Sequence, residues 1–159
     1  MTDIPAKADQ IDPIALKTRK LIEDAARATA THDGDLAEFA RQTLIGREQR
    51  NRYFDPVMFS NPSWDILLNL YVAAADGQGL SVLDCCAALA VPQGVTLRLL
   101  TLLKDDGTLI ETPDVLHPRR TLISLSEQTR VAMSAYLASL ICLGLGPEAF
   151  VPDSLSIRS

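Results

Sequence analysis

The chain has 159 residues, 47% of them hydrophobic, which excludes an intrinsically disordered chain and suits one domain with helical arms. Its net charge of −5 excludes a binder that holds nucleic acid by bulk positive charge, so such contacts must come from a few clustered cations. Three cysteines, two of them adjacent, make no disulfide framework and point to a reducing compartment.

Residues 1–12 are polar and aperiodic and read as a flexible tail. Residues 14–30 are alanine-rich, with Leu21, Ala25 and Ala28 in a weak stripe, and His32-Asp33-Gly34 breaks the pattern. A helix is predicted from Leu36 to about Asn51, capped by Asp33 or Asp35, with Leu36, Phe39, Ala40 and Leu44 on one face. Arg47 and Arg50 continue that face, where cations suit the helix dipole as well as a phosphate. Tyr53-Phe54 reads as a core anchor rather than a platform for stacking bases. Residues 13–60 thus form an N-terminal helical arm.

The next helix is predicted from Trp64 to about Ala75, capped by Ser63, with Ile66, Leu67, Leu70, Tyr71 and Ala74 facing inward. Leu80 makes an extended link. Ser81 and Asp84 have the spacing of a short capping box and open a helix over residues 82–89. After a three- to four-residue turn, the most sharply bounded helix runs from Pro92, tolerated in a first turn, to the Gly107 stop. Thr96, Leu99, Leu100 and Leu103 form its inward stripe; Gln93, Gly94, Leu97, Arg98 and Thr101 fall on the other side. The period then changes to two, predicting strands over residues 108–112 and 121–125 with a wing tip between them that carries two prolines and Arg119-Arg120. Ser126 caps a last helix, from Glu127 to about Leu143, that is apolar nearly all round and so needs cover on more than one side. A partner subunit is the expected cover. Nothing in this order repeats.

The fold class is therefore mainly α with a small β-hairpin wing: a winged helix-turn-helix over residues 61–127, flanked by N- and C-terminal dimerisation helices. The C-terminal dimerisation helix is assigned to residues 128–145 and a tail to residues 146–159. Residues 64–136 resemble the winged helix-turn-helix core of MarR-type bacterial transcriptional regulators. The resemblance is carried by Leu103-Lys104-Asp105-Asp106-Gly107, by Arg119-Arg120 and by Leu125-Ser126-Glu127-Gln128-Thr129, beside the family's L-x-x-x-G, D-x-R-R and L-T-x-x-G signatures. His117 stands where the family has its wing aspartate, and Thr129 where it has a glycine. The resemblance implies a homodimer bound to double-stranded DNA across two half-sites, and a small-molecule effector pocket at the dimer junction.

In that arrangement the helix beginning at Pro92 enters the major groove, where Gln93 suits adenine, Arg98 guanine or a phosphate, and Leu97 a thymine methyl. Gly94 lets the backbone approach, and Thr101 lies further along the same face. The wing, with His117, Arg119 and Arg120, reaches the minor groove, and Arg47 and Arg50 add phosphate contacts. Against this stand four basic and seven acidic residues between Ser63 and Leu125. The alternative is a winged-helix module that binds proteins and not DNA. A further alternative makes Cys85-Cys86 a thiol sensor, although Asp84 is the wrong neighbour for a reactive thiolate. No catalysis, cofactor or metal is expected: there is no phosphate loop or nucleophile elbow, and His32 and His117 lack partners at ligand spacing. Residues 1–10 carry no apolar run of a signal peptide, and the nearly apolar run over residues 131–145 is shorter than the roughly 20 residues of a membrane span, so a cytoplasmic protein is expected.

Overall fold

The computed structural model describes residues 33–146 and Arg19. The tail expected over residues 1–12, the alanine-rich segment over 14–30 apart from Arg19, and residues 147–159 lie outside the described residues.

Helix α1 spans Asp33–Arg50. Asp33 and Asp35, expected as caps, both lie within the helix as described, and Asp35 is buried. Leu36, Phe39 and Ala40 are buried as their spacing requires. The expected role of Tyr53-Phe54 is corrected: these residues are 81% and 54% exposed. Their backbone N–H groups bond back to the Arg50 carbonyl, so the chain turns off the α1 axis and both rings leave its apolar stripe. A short 3-10 turn, Pro56–Phe59, follows, with the Asp55 carboxylate accepting from the Val57 N–H at 3.0 Å.

Helix α2 spans Pro62–Ala75 and is capped by Asn61, not Ser63: the Asn61 side chain accepts from the Trp64 N–H, and Pro62 sits where no N–H is needed. Its inner face also differs from expectation. Ile66, Leu68, Leu70, Tyr71 and Ala73 are buried, whereas Leu67 is half-buried and Ala74 exposed. The reason is position. The helix packs against α1 and, later in the chain, against residues 121–125 and 82–88, so it buries a wider arc than a one-sided stripe.

Leu80–Ser81 is a strand, β1, rather than an unpaired link. It adds to β2 (Leu109–Pro113) and β3 (Thr121–Leu125), giving an antiparallel sheet in the order β1-β3-β2 with Leu80 opposite Ile123 and Leu109 opposite Leu125. A Cβ on Gly79 would lie 2.5 Å from Leu122 Cδ1, so glycine lets β1 come in against β3. Helix α3, Val82–Ala88, opens with a complete capping box between Ser81 and Asp84. Helix α4, Gln93–Asp105, has Pro92 as its cap, one position before the first turn, and Gly107 ends it at φ +81°. Helix α5, Glu127–Cys142, is capped by Ser126.

One core joins the elements, with Ile66, Leu68, Cys85, Leu100, Leu109, Ile123 and Leu137 almost fully enclosed. Each of the large aliphatic side chains contributes about 1.5–3 kcal/mol by burial. α5 is tied to α2 by the Tyr71–Ser134 hydroxyl bond of 2.8 Å and by the edge-on Trp64–Tyr136 ring pair at 5.5 Å. α5 buries Met133, Leu137, Ala138 and Ser139 but leaves Val131 and Tyr136 exposed, together with Leu143 just beyond its end. Among the described residues no helix is long and apolar enough to cross a membrane.

Candidate nucleic-acid interface

The fold divides α4 sharply. Thr96 and Leu100 face the core, with Leu99 and Leu103 half-buried beside them. Gln93, Gly94, Leu97, Arg98 and Thr101 are all exposed, so the five positions expected to read a duplex share the outward side. Val95 and Leu102 are exposed there as well, which makes this side more apolar than the sequence pattern suggested. The Thr101 hydroxyl donates to the Leu97 carbonyl at 3.0 Å, so its outward-facing chemistry is that of an acceptor. A Cβ at Gly94 would meet nothing within 4 Å, so no protein contact demands glycine there.

The wing is a tightly tied loop between β2 and β3. The Asp114 carboxylate is turned inward, with its side chain 11% exposed, and accepts the N–H groups of Leu116 at 2.9 Å and His117 at 3.3 Å. The Leu116 N–H, foremost, holds this carboxyl below the usual carboxylate range. Backbone bonds from Asp114 to the Arg120 carbonyl and from Arg120 to the His117 carbonyl close the loop. His117 Nδ1 lies 3.5 Å from Asp114 Oδ2.

The two wing arginines have different surroundings. Arg120 reaches across to α3 and donates to Asp84 Oδ2 at 2.5 Å, the same oxygen that accepts the Ser81 N–H and hydroxyl. The Ser81 N–H and then its hydroxyl are the main causes that lower the Asp84 pKa, with Arg120 adding to them. Arg119 is exposed and has no ion pair among the described residues, and the same is true of Arg98 on α4. Sequence reading missed Asp84 as the wing's partner. The only local signal was the capping box, which shows that its carboxylate is held but not that an arginine 36 positions later shares it.

The remaining expected cations lie elsewhere. Arg47, half-buried, pairs with Asp65 and so braces α1 against α2. Arg50, also half-buried, lines a small crevice with Arg47, Asp65 and the residues leading into α4. A larger cleft of about 330 Å³ opens between α1, α2 and the end of α3, with Leu44, Arg47, Asn69 and Ala88 in its walls. Cys85 is buried, and burial foremost pushes its thiol up to about 11, so almost no thiolate exists at neutral pH. That setting disfavours the thiol-sensor reading. Among the described residues no group of His, Cys, Asp or Glu could hold a metal ion.

No family model matches the sequence, and no curated protein matches it. Solved structures do align with the chain. S. aureus MepR bound to ethidium bromide is 21% identical over 66% of this chain and 69% of its own, with a TM-score of 0.48. The adhesin competence repressor AdcR of Streptococcus pyogenes is 22% identical over 55% of this chain, which spans 60% of that protein, with a TM-score of 0.41. S. aureus MepR in a DNA-binding conformation is 18% identical over 62% of this chain and 70% of its own, with a TM-score of 0.44.

Proposed function

We propose that the protein is a double-stranded DNA-binding transcriptional regulator of the MarR type that acts as a homodimer, with α4 in the major groove and the wing in the minor groove. One observation carries this reading. Of the four basic residues between Ser63 and Leu125, Lys104 and Arg120 are held in ion pairs, while Arg98 and Arg119 have none among the described residues. These last two stand on the outward side of α4 and on the wing. An acidic protein meets a polyanion most readily where its carboxylates are paired or turned inward, and here Glu111 and Asp84 are paired with Lys104 and Arg120 while Asp114 is turned onto the wing backbone.

In this reading Gln93 and Arg98 make the base-edge contacts, Leu97 meets a thymine methyl, and Gly94 and Thr101 face the groove beside them. Arg119 holds a phosphate at the rim of the narrow minor groove, with His117 next to it. Arg47 and Arg50, beside the residues that lead into α4, add phosphate contacts. A second copy covers Val131, Tyr136 and Leu143, the apolar groups that α5 and its end leave in water. A small-molecule effector would occupy the cleft between α1, α2 and α3, which is of the size that holds one.

The test is enrichment of random duplexes on the purified protein. The reading predicts a two-fold symmetric sequence whose preferred bases relax when Arg98 is replaced by alanine. A pool that stays random contradicts it. The protein-binding alternative draws support from the link after α1, where Tyr53, Phe54, Val57 and Met58 are all exposed. It predicts no enrichment and instead a partner whose capture is lost when Tyr53 and Val57 become serine.

A further inference from the structure

The two most exposed large hydrophobic side chains among the described residues stand side by side at the wing tip: Val115 at 94% and Leu116 at 83%. Exposure alone says little, since single apolar groups are common on surfaces. Three features set this pair apart. First, the tip is rigidly held. The Asp114 carboxylate lies beneath it on the Leu116 and His117 N–H groups, Arg120 closes the loop through its backbone, and the Arg120 side chain is anchored on Asp84. Pro113 and Pro118 on either side stiffen the chain further. Second, Asp84 is paired with Arg120 and Asp114 is turned inward onto backbone N–H groups, while Arg119, next to the apolar pair, has no ion pair among the described residues. Third, two side chains are far too small a surface for a stable protein interface, which needs roughly 800 Å² from each partner.

A rigid apolar pair beside a free cation fits a surface that is anionic outside and apolar within. The minor groove of a duplex is such a surface, with phosphates along its rims and stacked bases between them. We propose that the wing tip is an apolar wedge. Val115 and Leu116 enter the minor groove, partly unstack one base step and bend the duplex toward the major groove, while Arg119 holds a flanking phosphate. Flexible pyrimidine–purine steps accept such a kink most readily, so the wedge contributes sequence preference at a position that no polar side chain reads. This inference rests on the duplex-binding reading above and adds to it a bent product and a contact that is not electrostatic.

The experiment uses the full chain and the duplex enriched by the wild-type protein, labelled at its two ends with a donor and an acceptor dye. Wild-type binding should shorten the end-to-end distance. Val115→Ser combined with Leu116→Ser should bind about tenfold more weakly and leave the duplex straighter. The slope of affinity against salt should not change, because no cation is removed. Both side chains are already in water, so the variant keeps its core, which an unchanged thermal transition verifies. A wild-type complex with a straight duplex, or a double variant with unchanged affinity and bend, overturns the wedge. Arg98→Ala with Arg119→Ala separates the two levels. If that variant flattens the salt dependence while the serine variant changes nothing, the wedge alone fails. If the wild-type protein shows no salt-dependent duplex binding, the reading beneath it fails.

Discussion

At the scale of the residue, Gly94 separates stability from function. It lies in the first turn of α4, where glycine weakens a helix, yet a Cβ there would meet nothing within 4 Å. Gly94→Ala should therefore stabilise the protein by up to about 1 kcal/mol in urea unfolding. The added methyl would stand between the helix backbone and the groove floor, so the same variant should bind the enriched duplex more weakly. A more stable variant with undiminished affinity would show that the backbone does not approach there. Thr96 shows the opposite balance: its buried hydroxyl has no hydrogen-bond partner among the described residues, a local cost carried within the core face of α4.

At the scale of the element, Asp84 joins three parts: the start of α3, the end of β1 and the base of the wing. Its carboxyl is held below the usual range, so the stability it contributes is present above about pH 4, the ordinary carboxylate value, and is lost as pH falls through the lowered folded value. Asp84→Asn should cost about 1 kcal/mol at pH 7, the size of a cap, because the pair with Arg120 is partly solvated. The difference from wild type should shrink as unfolding is measured below about pH 4. A constant difference across that range would mean that the charge is not what stabilises the joint. What was legible in the sequence follows the same division. The Gly107 stop, the Ser81–Asp84 box and the strand over residues 121–125 obey rules that act within a few residues, and they stand where the sequence pointed. The outward side of α4 was legible for the same reason. The burial of Leu68 and Ala73, the exposure of Tyr53 and Phe54, and the pairing of β1 with β3 depend on neighbours brought in from elsewhere in the chain. So do the Arg47–Asp65 and Arg120–Asp84 pairs, whose members lie 18 and 36 positions apart. No periodicity encodes them, and they decide which cations remain available at the site.

At the scale of the whole molecule, the proposed function asks how a chain of net charge −5 would meet DNA. Pairing within the fold engages Glu111 and Asp84 and leaves Arg98 and Arg119 without an ion pair among the described residues between Ser63 and Leu125, a number that a two-fold assembly would double. On the proposed reading a second copy would bury the apolar groups that α5 exposes at Val131 and Tyr136. The most direct test is the dependence of duplex affinity on salt for the wild-type protein and for the Arg98→Ala, Arg119→Ala double variant. Arg119 holds a phosphate while Arg98 reads a base, and each phosphate contact adds about 0.9 to the slope of log affinity against log salt, so the variant should be shallower by about one per protomer. Equal slopes for the two proteins would contradict the account.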